Sequence, residues 1–261
     1  MGRLRNKTAV ITAGDKGIGK AIAFAYAKEG ADIVIAYHTD EKSASEVVAE
    51  IQKLNRRAKA IRLEITSSES RKQFVEEAEK YLGKLDILVN SAGVCPRGEF
   101  LKASEQSFDK AMDVNFKGPY FLTQEICQRM CLNKTGGSVI NISSSRDEGG
   151  LANVSIYSSS KAALTIFSRN AALELAQYRI RVNTISPGLT KTDMHKETWE
   201  KNPEQWQKRI DEIPIGRSGV PEDIAALAIY LGGDESGYTT GGRFLVDGGR
   251  SLGSPPLRAK L

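Results

Sequence analysis

Tyr157 and Lys161 stand four positions apart in Tyr157-Ser158-Ser159-Ser160-Lys161, with Ser143 and Ser144 a short way upstream. On a helix that spacing puts phenol and ammonium on one face, about a turn from each other. A phenol ionises near ~10 and is a poor acid or base at neutral pH. A neighbouring ammonium favours the phenolate and lowers that pKa, so Tyr157 becomes a candidate general acid and base. Ser144 lies thirteen residues before Tyr157 and follows the run 138–142, which reads as a strand. A hydroxyl at such a strand end can hold a substrate oxygen while Tyr157 moves its proton. Taken alone, the pair also fits two polar groups on a solvated helix face, and its setting must decide.

That setting begins with Thr8–Thr12, a short apolar run with β-branched residues that reads as a buried strand. It runs into Thr12-Ala13-Gly14-Asp15-Lys16-Gly17-Ile18-Gly19 and then into helix-forming residues 20–27. Strand, glycine turn and helix is where a dinucleotide pyrophosphate sits, because the backbone can approach the phosphates and the helix N-terminus presents free N–H groups. Asp32–Tyr37 is a second strand. An NAD-binding unit places a carboxylate on the ribose 2′-hydroxyl roughly 20 residues past the glycines. Here that place holds Tyr37, followed by His38. Without a carboxylate nothing repels a 2′-phosphate, and Lys16, with His38, can meet it. This favours NADP(H) over NAD(H), although Lys16 and His38 also fit solvated surface groups.

Residues 40–55 read as an amphipathic helix, 58–65 as a third strand, and 67–82 as a helix with Ser67, Ser68 and Glu69 as cap signals. Glu64 ends its strand, either accepting from an adenine amino group or lying in water. A fourth strand, 86–89, ends in Asn90-Ser91-Ala92-Gly93, small residues that permit close approach of a ligand; Asn90 also fits a role tying the sheet together. In the helical stretch 104–132, Asn115 and Gly118-Pro119 interrupt helix formers, and Pro119 removes a backbone donor. A local break there would leave Asn115 free to bind water; the alternative is an exposed polar residue. Residues 155–177 form a helix carrying Tyr157 and Lys161, and 182–185 a sixth strand closed by Ser186-Pro187-Gly188. Thr190, Lys191 and Thr192 follow above the strand ends. The excursion 192–213 carries Trp199 and Trp206, as a lid over a substrate or as surface helices resting their Trp residues on the core. A helix at 221–231 and a strand, Arg243–Val246, complete the pattern. Helices alternate with strands throughout, so a parallel sheet covered on both faces is expected.

Of the 261 residues, 40% are apolar and 26% charged, which suits one large globular α/β domain. No run reaches the ~18 apolar residues of a membrane span, and the start lacks a signal-peptide h-region. Cys95, Cys127 and Cys131 make neither a disulfide framework nor a metal-ligand set, and point to a reducing, cytoplasmic compartment. The net charge of +5 suits an anionic cofactor or substrate without the charge runs of a nucleic-acid binder.

With these motifs in order, the sequence resembles the short-chain dehydrogenase/reductase family from about Leu4 to Gly249. The resemblance rests on the glycine turn at 12–19, Asn90-Ser91-Ala92-Gly93, Asn115, Ser144, the Tyr157/Lys161 pair and Pro187-Gly188. It implies a single Rossmann-like, doubly wound domain over residues 1–249 with about seven parallel strands, followed by a loosely structured tail, 250–261. It also implies roles: Ser144 orients the substrate oxygen, Tyr157 exchanges the proton, Lys161 lowers the Tyr pKa and binds the nicotinamide ribose, and Asn115 holds a relay water. Pro187, Gly188 and Thr192 position the nicotinamide. The full cofactor set expected is Thr12, Gly14, Lys16, Gly17, Ile18, Gly19, Tyr37, His38, Glu64, Ile65, Asn90, Ala92, Gly93, Tyr157, Lys161, Pro187, Gly188, Thr190 and Thr192. Departures are Thr12-Ala13 for the family's Thr-Gly, Glu64 for its Asp, and Ser91 for its second Asn. The family further implies a homotetramer or dimer.

The expected activity is NADP(H)-dependent interconversion of a ketone and a secondary alcohol. Substrates stay open among 3-oxoacyl thioesters, sugars or polyols, and hydroxysteroids; Arg129 and Arg169 are possible docking points for an acidic carrier protein. The competing class is a nucleotide sensor or scaffold that keeps the fold without turnover, which has no need to keep Ser144, Tyr157, Lys161 and Asn115 together. The closing Ala259-Lys260-Leu261 resembles a peroxisomal address.

Overall fold

β1 (Thr8–Thr12) is buried at every position, and β2 (Asp32–Tyr37) at all but its last. Such unbroken burial is what a parallel strand covered on both faces requires, which is why these runs do not alternate. They belong to a seven-stranded sheet in the order β3-β2-β1-β4-β5-β6-β7, with β3 at Ala58–Arg62, β4 at Ile87–Asn90, β5 at Gly137–Ile142, β6 at Ile180–Pro187 and β7 at Arg243–Val246. Every pairing is parallel. The order reverses between β1 and β4, the switch point at which open α/β sheets bind ligands beyond their strand ends. The computed structural model describes residues 2–134 and 136–253; the Ala259-Lys260-Leu261 motif lies outside them.

Helices cover both faces. On one side α1 (Gly17–Lys28), α2 (Glu41–Gln52) and α9 (Pro221–Gly232) bury Ile22, Tyr26, Val47, Ile51, Ile224 and Leu231 against the sheet. On the other, α3 (Ser68–Leu82), α5 (Gly118–Asn133) and α6 (Ser155–Leu175) contribute Phe74, Leu82, Leu122, Ile126 and Ala172. The starts follow local chemistry: Asp40 caps α2, Ser67 caps α3, and Ser104 caps α4 (Glu105–Met112), each side chain accepting a backbone N–H three residues on. Among the described residues no helix is long and apolar enough to cross a membrane.

Three boundaries differ from the sequence expectation. β3 stops at Arg62 rather than residue 65, because the Glu64 carboxylate folds back onto the Thr66 hydroxyl and N–H. The stretch 104–132 does not break at Pro119; it stays helical and widens into a π turn over Asp113–Lys117, where the Gly118 N–H reaches back to the Asp113 carbonyl. Proline at the second position of α5 offers no N–H to the preceding turn, and a wider turn accommodates that loss. The tail is ordered at its start: Arg250–Leu252 forms a 3-10 turn, with the Gly249 and Ser251 N–H groups donating to the Asp247 carboxylate.

Candidate active site

The glycine turn places α1 with its first turn facing the switch point. Gly17 takes φ +52°, a conformation that suits glycine, and lets the chain turn from β1 into the helix. Lys16 occupies the N-cap with no side-chain cap, and no acidic residue stands in the first turn. The opening N–H groups of α1 and its positive dipole end therefore face the cleft without an internal anion, which fits a pyrophosphate. Across the cleft, Thr12 Oγ1 accepts from the Ser91 and Ala92 N–H groups at 2.9 and 3.0 Å, pinning the end of β4 to β1.

At the end of β5 and on the first turns of α6, four side chains converge. The Ser144 hydroxyl stands near the Tyr157 phenol and favours its ionised form, with the phenol half-buried and Ser144 buried. Lys161, 4% exposed, donates from Nζ to the Ile142 carbonyl at 2.8 Å. Asn115 is fully buried in the π turn, donating to Val94 O at 2.8 Å and Ser160 Oγ at 2.9 Å while accepting the Val94 N–H at 2.8 Å. It is therefore neither an exposed polar residue nor a side chain left free by a break. Gly93 lets these groups close up, since a Cβ there would sit 3.2 Å from Asn115 Oδ1 and 3.3 Å from Lys161 Nζ. Ser143 supports the set from behind, donating to the Lys161 carbonyl at 3.1 Å and accepting from Thr165.

The electrostatics differ from the sequence expectation in one respect. Burial pushes the Tyr157 phenol up to about 12; the Ser144 hydrogen bond and Arg97 pull it down, while Cys95 and Asp147 raise it further. Burial brings the Lys161 ammonium down to about 8, against the opposing pull of Cys95 and Asp147. Lys161 is not among the groups acting on the phenol here, and its ammonium donates to the Ile142 carbonyl. Below this pair sits Asp147, which the motifs did not reveal. Burial would raise its carboxyl, but Arg243, Ser186, Thr165 and Ser143 hold it below the usual range. Arg243 Nε donates to it at 2.9 Å and Ser186 Oγ at 2.7 Å.

A cavity of about 490 Å³ joins the helix N-terminus to Tyr157. Of the expected residues, Lys16, Gly17, Ile18, Gly93, Ser144, Tyr157, Lys161, Pro187, Gly188, Thr190 and Thr192 line it. Others serve the framework. Thr12 holds the turn, Gly14 lies against Ile35, and Gly19 lies against the Ala13 carbonyl. Tyr37 and Ala92 rest on the two core clusters, and Ile65 is buried. Asn90, also buried, donates to Thr123 Oγ1 at 2.9 Å and Asn141 Oδ1 at 2.7 Å, so it ties sheet to helix. His38 and Glu64, expected to take separate groups of the cofactor, pair with each other, Nε2 donating to Oε2 at 2.8 Å. Arg62, which sequence reasoning passed over, adds a cation beside the His38 carbonyl.

The excursion contributes through residues other than its tryptophans. Trp206 is buried against Leu189 and Ile213, and Trp199 packs on that cluster under Lys191, whose Nζ lies 4.6 Å from the ring centre. Met194, His195 and Arg209 reach the cavity instead, as do Arg97, Arg146 and Arg250 from other loops. Arg129 and Arg169 face Glu79 and Glu148 across 3.6 and 3.3 Å, rather than standing open for a carrier protein.

A parallel sheet in this order, a glycine turn at its switch point and a Ser-Tyr-Lys constellation at the strand ends define a nucleotide-dependent oxidoreductase, and the chain belongs to the short-chain dehydrogenase/reductase family. Residues 12–251 match the family profile described as Enoyl-(Acyl carrier protein) reductase. Among its relatives, an L-rhamnose 1-dehydrogenase (NADP(+)) from Thermoplasma acidophilum is 37% identical over 94% of this chain and 96% of its own. A galactitol 2-dehydrogenase from Agrobacterium fabrum is 34% identical over 95% and 98%. A solved 7 alpha-hydroxysteroid dehydrogenase, complexed with NADH and 7-oxo glycochenodeoxycholic acid, superposes with a TM-score of 0.90 at 37% identity, covering 98% of this chain and 97% of that one.

Proposed function

We propose that this chain is an NADP(H)-dependent oxidoreductase that interconverts a secondary alcohol and a ketone on a small, polyhydroxylated substrate of the sugar class. The observation that carries the reading is the Ser144–Tyr157 hydroxyl pair on the cavity wall, with Lys161 and Asn115 close behind. Ser144 holds the substrate oxygen, and Tyr157, protonated at neutral pH, gives its proton to that oxygen during reduction and recovers it during oxidation. Lys161 keeps positive charge beside the reacting oxygen, and Asn115 fixes the loop that carries Val94. The nicotinamide, when bound, supplies or accepts the hydride. Lys16, Gly17, Ile18 and the open N-terminus of α1 suit its pyrophosphate, and Pro187, Gly188, Thr190 and Thr192 line the cavity on the far side. Preference for NADP(H) is supported by Tyr37 where an NAD-binding unit carries a carboxylate, and by Lys16 and Arg62 nearby. The names of the rhamnose and galactitol relatives support a sugar or polyol rather than a thioester.

Residues 1–249 with the turn that follows act as one catalytic unit in this reading, located in the cytoplasm. Exposed Leu132 on α5, and Ile166 and Leu173 on α6, give it an apolar face suited to assembly as a homotetramer or dimer. The test is nicotinamide absorbance with NADPH and then NADH across a panel of sugars, polyols and ketones. Turnover with NADPH, and a fall of about 10²-fold or more in Tyr157→Phe with NADPH binding retained, is expected. Full activity in that variant overturns the proton role. Lys16→Ala weakens NADPH more than NADH; equal losses remove the case for a 2′-phosphate contact at Lys16.

A further inference from the structure

The end of the cavity beyond Tyr157 is lined by four arginines that arrive from separate parts of the fold. Arg97 comes from the loop after β4 and Arg146 from the loop after β5; Arg209 lies on α8 (Pro203–Asp211) and Arg250 on the turn after β7. They stand close to the reacting groups: Arg97 acts on the Tyr157 phenol, and Arg146 follows Ser144 by two residues, its backbone N–H donating to Ser144 Oγ at 3.2 Å. Arg209 feels Arg97, Arg250 and Arg146 as like charges, and Arg146 feels Arg250.

Nearby carboxylates do not balance them. Glu212 pairs with Arg250, and Asp247 accepts the Gly249 and Ser251 N–H groups. Asp193 also lines the cavity. Among the described residues neither Arg97 nor Arg209 has an acidic partner within ion-pair distance. Arg97 instead donates to His195 Nδ1 at 3.4 Å. Burial and the three neighbouring arginines push the His195 imidazole down to about 4, so it stays neutral and can accept that bond. Gathering guanidinium groups in a half-buried cavity costs free energy unless an anion comes to them, and their planar donor forks match carboxylate and phosphate oxygens.

We infer that the substrate carries an anionic group, a carboxylate or a phosphate, held by Arg97, Arg209 and their arginine neighbours while its alcohol or ketone carbon lies at Ser144 and Tyr157. This rests on the oxidoreductase reading above and narrows it from sugars and polyols to their acids or phosphate esters.

The test uses enzyme loaded with NADP+ and three probes of one carbon skeleton: D-gluconate, D-glucitol 6-phosphate and neutral D-glucitol. Calorimetry at low ionic strength is expected to show one of the anions binding at least tenfold tighter than glucitol, and which anion wins identifies the group. Arg209→Gln and Arg97→Gln each erase most of that preference, Arg209→Lys keeps part of it, and thermal melts check that the variants fold. A second readout needs no turnover. The chain has two histidines, and the His195 ring resonance should titrate at higher pH when the anion is bound. Equal binding of all three probes, failure of both anions to bind, or unchanged preference in both Gln variants overturns the inference. NADP+ reduction is followed separately. Oxidation of glucitol as readily as the anions leaves the oxidoreductase reading standing and removes this one. Anion binding that depends on the arginines without NADP+ reduction does the reverse.

Discussion

Lys161 is an ammonium held almost out of water with its hydrogen bond to the Ile142 carbonyl, and burial brings it from 10.5 down to about 8. A shift of this size corresponds to about 3 kcal/mol. The sign follows from proton counts. Between about 8 and 10.5 the unfolded chain holds the proton and the folded chain has lost it, so stability rises with pH across that window and the full penalty applies below it. Lys161→Met should therefore be more stable than the parent at pH 7, by up to about 3 kcal/mol less about 1 kcal/mol for the hydrogen bond lost at Ile142 O. The gain should fade as pH climbs through 8 toward 10.5, while activity is lost throughout. Denaturant melts at pH 7 and pH 10 decide it; a constant difference between the two would mean that the lysine charge is not the cause.

At the level of elements, the π turn at Asp113–Lys117 aims Asn115 inward at the Val94 backbone. Asn115→Ala removes both Val94 bonds and the one to Ser160, leaving the half-buried Val94 N–H and carbonyl without that partner at about 1–3 kcal/mol for each, while Ser160 keeps its bond to the Tyr157 carbonyl. A lower melting temperature and faster amide exchange at Val94 are expected; exchange unchanged at Val94 would place the role of Asn115 elsewhere. Legibility follows the same division. Tyr157, Lys161, Ser144 and the glycine turn could be read from the chain because their geometry is local: one helical turn, one strand end, one strand-to-helix corner. The π turn hides in a sequence of ordinary helix formers, and only the Gly118-Pro119 pair hints at it. The sequence points His38 and Glu64 to different parts of a cofactor, because nothing in their spacing shows that neighbouring parallel strands bring them together. The arginines were invisible for a stronger reason. Arg97, Arg146, Arg209 and Arg250 meet only once two loops, α8 and the turn after β7 are brought together around one cavity.

For the whole molecule, α5 and α6 line a groove in which Leu132 is 74% and Ile166 53% exposed, an apolar surface suited to a partner. Ile166→Arg is expected to lower the assembly state seen by light scattering after size exclusion, with the far-ultraviolet circular dichroism of the parent retained. An unchanged mass, or a parent that already runs as a monomer, would count against an interface on this face. The clasp between Arg243 and Asp147 spans 96 residues of sequence, from the last strand to the loop between Ser144 and Tyr157. During synthesis, that loop must wait for β7 before its carboxylate finds its cation. A growing chain on the ribosome carries Ser144 and Tyr157 well before β7 emerges, so the loop between them should reach its final hydrogen bonding late in synthesis.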